Sequence, residues 1–310
     1  MERYTGREIA IFTDVHGLLY PTIAILSDIK RRGIKEIYSL GDNIGVGPDP
    51  SGVLDLLGEY GVKSINGNSE DYSTIGIEPF KSYFGPTKIE SQEWTYSQLS
   101  SEQIKQLNDN KHSYDLVVGG MKIGLCHFGN DVRIDFGKNS TWSYQRSINY
   151  HLPNPQQQFY YTNSEDQKKN IDEKSKIIIP ENAGFLSAKN DPIFGGKTVD
   201  YYDEIIQGHV HFKFLTEDEN VRIRTIRAAG MAYGNDPIDY ASYIVIKEKE
   251  IGYDVEEILV PFDRDKMLKS IDDSSMPNKD TINKFVSRKW SNKIAFYTRL
   301  ANNKIYQLGS

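Results

Sequence analysis

Residues 36–43 read Glu36-Ile37-Tyr38-Ser39-Leu40-Gly41-Asp42-Asn43, a strand-like run that ends on a glycine, a carboxylate and an amide. Working outward, residues 21–32 carry apolar Ile23, Ile25, Leu26 and Ile29 at helical spacing, with Gly33 as a stop, and before them stands Asp14-Val15-His16. Downstream, Val53, Leu54, Leu56 and Leu57 begin a second helix that stops between Gly58 and Gly61. Residues 62–65 form a third strand leading to Gly67-Asn68-Ser69-Glu70. The alternation of strand and helix predicts an α/β fold. Open α/β sheets bind ligands outside the carboxyl ends of their strands, and each of these Asp, Asn and His residues is expected there.

Two further stretches extend the set. Residues 122–126 run into Cys126-His127, and the last strand before residue 212 ends in Gly208-His209-Val210-His211. Side chains alternate faces along a strand, so Asp14 and His16 are expected to point one way and His209 and His211 likewise. Two such pairs can clamp a metal cluster from opposite sides. Oxygen and imidazole donors without thiolate suit manganese, iron, zinc or magnesium better than a structural zinc site rich in cysteine. His112, outside every motif, reads as an ordinary satisfied polar residue.

In this order, Asp14-x-His16, Gly41-Asp42-Asn43, Gly67-Asn68, His127 and Gly208-His209-x-His211 resemble the pattern of the calcineurin-like metallophosphoesterases. The stretch Leu40-Gly41-Asp42-Asn43-Ile44-Gly45-Val46-Gly47-Pro48-Asp49-Pro50 looks like the small bacterial branch of that superfamily, which includes phosphodiesterases and dinucleoside-polyphosphate hydrolases. The similarity covers about residues 9–138 and 201–262. It implies a β-sandwich flanked by helices, an αββα arrangement, in a single domain over residues 1–310. It also implies two divalent metal ions, manganese first, with iron, zinc or magnesium as alternatives. One would be held by Asp14, His16, Asp42 and His211, the other by Asp42, Asn68, His127 and His209, with Asp42 shared and Asp42 and Asn68 catalytic. Two ions about 3.5–4 Å apart lower the pKa of a shared water and neutralise phosphoryl charge during in-line attack.

One position departs from the pattern. Family members carry a histidine after Gly-Asn, resembling a general acid for the leaving oxygen, whereas this chain has Ser69. A serine hydroxyl is far too weak an acid, and such help is worth about 10²–10⁴-fold. Poor leaving groups should suffer most, acidic ones such as a nucleotide phosphate least. Glu70 and His151 are the candidates to take the role over.

With 310 residues, 38% of them hydrophobic, the chain can bury one large core, or a core and a small cap. Its 37 basic and 43 acidic side chains give a net charge of −6, which argues against general nucleic-acid or membrane-surface binding. The single cysteine, Cys126, excludes an intrachain disulfide and reads as a small buried residue. With neither an apolar leader nor a long apolar run, a soluble, cytoplasmic protein is expected.

Residues 139–199 break the α/β rhythm with aromatics and a charged run, leaving the core after His127 and returning before His209. This segment is expected to be a cap over the substrate. Arg133 and Arg146 are its candidates for a second phosphate, Trp142 and Tyr144 for stacking on a base. After His211 the chain reads as paired strands at 221–226, 243–247 and 255–259. A C-terminal helical extension over 263–310 follows, with helices at 264–271 and 279–290. The expected activity is hydrolysis of a phosphodiester or phosphoanhydride in a small, nucleotide-type substrate. A broad phosphomonoesterase and a metal-bound scaffold or nucleotide sensor are the alternatives.

Overall fold

A computed structural model describes residues 3–74, 76–77, 85–111, 113–127, 133–135, 141–143, 201–209, 211, 213–217, 221–231 and 237–286. Strand β1 (Tyr4–Phe12) lies at the middle of a five-stranded sheet. It pairs in parallel with β2 (Glu36–Ser39), which pairs with β3 (Lys63–Ser64), and antiparallel with β11 (Tyr240–Lys249), which pairs with β12 (Tyr253–Pro261). The end of β1, Ile9-Ala10-Ile11-Phe12, is wholly buried because both its faces are covered, which explains its unbroken apolar run. Ala10 and Phe12 meet Ile25, Leu26 and Ile29 of helix α1 (Leu19–Arg32) and Val53 and Leu57 of α2 (Pro50–Glu59). Truncating Phe12 to alanine there costs about 3–5 kcal/mol.

Ile9 and Ile11, on the other face, meet a second five-stranded sheet. Its order is β4 (Ser113–Val118), β5 (Met121–Cys126), β8 (Glu204–Gln207), β10 (Arg222–Thr225) and β9 (Phe214–Glu217). Leu116, Val118, Ile123, Leu125 and Ile206 fill the interior between the sheets with Tyr38, Ile244 and Ile246. The molecule is therefore an α/β sandwich of two mixed sheets with helices on the outer face of the first. Cys126 is buried among Tyr202, Ile205, Val221 and Ile223.

Local signals explain the helix ends. Asp49 caps α2 by accepting from the amide of Gly52 at 2.8 Å, with Pro50 at the first helical position. Gly33 closes α1 at φ 78°, a left-handed conformation that glycine takes without steric cost. Three helices beyond those expected follow β3 and precede β4: α3 (Asn68–Thr74), α4 (Pro86–Ser97) and α5 (Ser101–Asp109). α5 carries a reciprocal capping box between Ser100 and Gln103.

The structure corrects one strand assignment. The run at 221–226 does not pair with 243–247 and 255–259; β10 belongs to the second sheet, parallel to β8, while β11 and β12 form the edge of the first. A buried alternation fixes a strand but not its partner. A two-stranded ribbon pairs β6 (Arg133–Asp135) with β7 (Thr141–Ser143), which lies within the expected cap segment; residues 139–140 and 144–199 of that segment lie outside the described residues, as does His112. Helices α6 (Arg264–Asp273) and α7 (Lys279–Val286) pack Met267, Ile271 and Val286 against Leu18, Ala228 and Met231. Residues 287–310 lie outside the described residues. No described helix is long and apolar enough to cross a membrane.

Candidate metal centre

The loops after β1, β2, β3, β5 and β8 converge, and their backbones touch. A Cβ on Gly41 would lie 2.5 Å from the amide nitrogen of Gly67, and one on Gly208 would lie 2.6 Å from Asp14 Oδ2. Only glycine allows these approaches. Six described non-glycine residues have left-handed φ, and five of them are Asp14, His16, Asp42, His209 and His211, at 51–71°. Each such residue costs roughly 1–2 kcal/mol, so the surrounding hydrogen bonds must hold them in place. This overturns the expectation that Asp14 and His16, and His209 and His211, share a face through strand alternation. β1 ends at Phe12 and β8 at Gln207, and left-handed turns aim the ligands instead.

The donors gather in two groups, Asp14 with His16 and His211, and Asp42 with His127 and His209. In the first, His16 Nε2 stands 2.9 Å from His211 Nε2, and Asp14 Oδ1 is 3.1 Å from His211 Nε2 and 3.6 Å from His16 Nε2. In the second, His127 Nε2 lies 3.3 Å from His209 Nδ1, 3.2 Å from Asn68 Oδ1 and 3.6 Å from Asp42 Oδ2. Asp42 Oδ2 is also 3.8 Å from His16 Nε2, so this one oxygen faces both groups. All seven predicted ligands are thus brought together.

These separations fit metal binding. Donors about 2.1 Å from a common ion stand roughly 3.0–3.4 Å apart at octahedral or tetrahedral angles. The facing imidazole nitrogens at 2.9 Å and the buried Asp14 Oδ1, which has no hydrogen bond of normal geometry, make a donor set that a cation would complete. The remaining atoms of the ligands are tied back. Asp14 Oδ2 accepts from Thr13 Oγ1 at 2.6 Å and from the amide of His209 at 2.9 Å, and Asp42 Oδ1 accepts from the amide of Ser69 at 2.7 Å. His127 Nδ1 donates to the carbonyl of Leu40 at 2.8 Å, which leaves Nε2 as the ligating nitrogen.

No family model matches the chain. Over 119 residues, 38% of the chain, it is 33% identical to an uncharacterized protein, MJ0912, of Methanocaldococcus jannaschii, and the match spans about half (48%) of that relative. Among solved structures it is similar to hypothetical protein PH1004 of Pyrococcus horikoshii, with a TM-score of 0.61 and 15% identity over 90% of this chain and 97% of that one. It is also similar to a metallophosphoesterase from Sphaerobacter thermophilus, with a TM-score of 0.55 and 17% identity over 91% and 98%. The chain has a metallophosphoesterase fold.

Within that metallophosphoesterase fold the histidines are shifted in opposite directions. Burial pulls His16 down to about 4, with the nearby Asp42 and Asp14 carboxylates only partly opposing it. His209 falls to about 3, through burial and then the charge of His127. Burial also disfavours a charged His127, but Asp42 outweighs it and raises the ring to about 9. The same neighbours hold Asp42 well below the usual carboxylate range despite its burial. His209 and His211 are partly exposed and the other ligands buried, so the centre opens along the 209–211 loop.

Ser69 is buried and lies beside Gly45. Glu70, a candidate stand-in for the absent acid, is otherwise engaged. Its carboxylate accepts from the amides of Asn43 at 2.6 Å, Gly67 at 2.7 Å and Asp42 at 2.9 Å. Burial and then the Asp42 charge push its pKa up to about 7, opposed by those amides. Three N–H groups aimed at two oxygens leave no acceptor for a carboxyl proton, so Glu70 splices the loops that carry Asp42 and Asn68. An acidic residue in the first turn of a helix was its only sequence signal. Trp142 pairs with Ile134 and Arg133 with Ser143 in the β6–β7 ribbon, while Tyr144, Arg146 and His151 lie outside the described residues.

Proposed function

We propose that this protein is a metal-dependent hydrolase of phosphodiester or phosphoanhydride bonds in a small, nucleotide-type substrate, with two divalent ions as cofactors, manganese first. The observation that carries the reading is the meeting of two donor groups around one carboxylate oxygen, Asp42 Oδ2. When bound, a divalent pair supplies an activated water and Lewis acidity toward a phosphoryl oxygen. Asp42 would be shared by both ions, Asp14, His16 and His211 completing one set of ligands and Asn68, His127 and His209 the other. The amide of Ser69 and the carbonyl of Leu40 orient Asp42 and His127. Asn68 Oδ1, at the start of α3, faces His127, and in this reading Asn68 would also orient the reacting group.

Ser69 offers no proton to a departing alcohol, which supports substrates whose leaving group is already acidic. Residues 139–199 are proposed as a cap over the non-phosphate half of the substrate, with the protein acting in the cytoplasm. The test is a screen of purified protein supplemented with manganese, iron, zinc or magnesium. It covers aryl phosphomonoesters, aryl phosphodiesters and dinucleoside polyphosphates, with elemental analysis alongside. Turnover of diesters or anhydrides above monoesters is the expected result; a protein that binds no transition metal near pH 7 overturns the reading.

A further inference from the structure

Helix α4 contributes nothing to the ligand loops, yet it packs on α3, and Thr95 Oγ1, whose proton is shared between the carbonyls of Ser91 at 2.9 Å and Gly45 at 3.2 Å, sets α4 against the loop that follows Asp42. Nearby on α4, Gln92 is only 3% exposed, and neither its amide nitrogen nor its carbonyl oxygen has a hydrogen-bond partner among the described residues. A buried amide left in that condition is costly unless something outside the chain completes it. A Cβ on Gly45 would lie 3.7 Å from Gln92 Nε2 and 2.8 Å from Ser69 Oγ, so amide and hydroxyl flank one point. Lys88, four residues before Gln92 and on the same helical face, holds its ammonium 5.4 Å from the ring centre of Tyr72 on α3. It is partly withdrawn from water, and its charge is felt by both Asp42 and His16.

We infer that Lys88 and Gln92 form the pocket for the substrate's leaving group, and that this group is a phosphate, held by the charge of one and the amide of the other. The inference rests on the hydrolase reading above. In an anhydride, the water oxygen bonds to phosphorus as the bond from phosphorus to the bridging oxygen breaks. The bonding pair stays on that oxygen in the departing phosphate, and the water's proton passes to solvent. A departing alkoxide needs a proton, which Ser69 cannot give. A departing phosphate is stable as an anion and needs a cation, which Lys88 provides, while the Gln92 amide donates to a second oxygen.

The test compares Lys88→Met, Lys88→Arg and Gln92→Leu with wild type, all metal-loaded, on a dinucleoside polyphosphate and on bis(4-nitrophenyl) phosphate. Binding of non-hydrolysable imidodiphosphate is read by calorimetry and metal content by elemental analysis. With metal content unchanged, Lys88→Met should lower kcat/KM on the anhydride and imidodiphosphate affinity about 10- to 100-fold, the value of a hydrogen bond to a charged group. The aryl diester should lose several-fold less, and Lys88→Arg should recover most of the loss. Gln92→Leu should raise Tm while weakening imidodiphosphate binding. Equal losses on both substrates, or unaltered imidodiphosphate binding in Lys88→Met, would overturn the pocket. If the wild type hydrolyses neither substrate, the hydrolase reading fails and binding alone decides: affinity lost in Lys88→Met supports the pocket, and affinity retained refutes it.

Discussion

Asp14, His16 and His211 stand opposite Asp42, His127 and His209, each group with one carboxylate and two imidazoles, and each aimed in part by left-handed backbone. The first leaves a carboxylate oxygen and two imidazole nitrogens facing one another, with His16 down at about 4. The second fixes His127 between the Leu40 carbonyl and Asp42, and the ring rises to about 9. Similar ligands therefore present different protonation to an incoming cation. The difference lies in the balance of burial and charge: burial prevails at His16, while at His127 the carboxylates, Asp42 foremost, prevail over it.

The largest effect is expected from the residue the groups share. Asp42→Asn should lower the affinity of both ions by more than about 100-fold, beyond the usual cost of losing an outer partner, and abolish hydrolysis. Elemental analysis after dialysis checks it, and retention of one full equivalent of metal would show that the groups are independent.

Next, His209→Ala and His211→Ala should each lower metal content from about two ions to about one, the stoichiometry expected of a two-metal site. Loss of both ions from either variant would mean that the groups fill only together.

A third expectation concerns protons. In the metal-free protein His127 holds a proton at neutral pH that an ion must displace, so affinity at the second group should rise about tenfold per pH unit toward pH 9. His16, at about 4, releases no proton in that window. Calorimetry in two buffers of different ionisation heat counts the released protons, and a count of zero at pH 7 breaks the contrast. The sign for folding follows from the same raised pKa. The stability it contributes to the metal-free protein is fully present below about pH 6.5 and lost as pH climbs through 9.

The smallest effect is structural. Glu70→Gln replaces a carboxylate oxygen with an NH₂ group amid three backbone donors, so it should cost about 1–3 kcal/mol, seen as a lower Tm. It should also weaken the second group more than the first, because the spliced loops carry Asp42 and Asn68.

Much of this centre was readable in the chain. The order of Asp14, His16, Asp42, Asn68, His127, His209 and His211, and their positions just beyond strands, follow from short motifs set against apolar runs. How they converge was not readable, because a left-handed φ at Asp14 or His211 has no spacing signature; it is imposed by contacts such as that between Gly208 and Thr13. The partner of β10 was equally hidden, since the burial of Ile223 and Thr225 suits either sheet. Lys88 and Gln92 belong to a largely polar helix, and its packing on α3 and the Thr95 contact with Gly45 set it beside the loop after Asp42.

The placement of β1 has a consequence for synthesis. Its two neighbours are β2, made soon after it, and β11, which begins at Tyr240. A ribosome therefore releases Asp14 and His16 long before the second of the strands that will flank β1, a delay on the order of tens of seconds at ordinary elongation rates. Through that interval the first two ligands wait on an unfinished sheet edge, and His209 and His211 appear just ahead of the strand that closes it. The full ligand set therefore exists only once the chain has been made past His211.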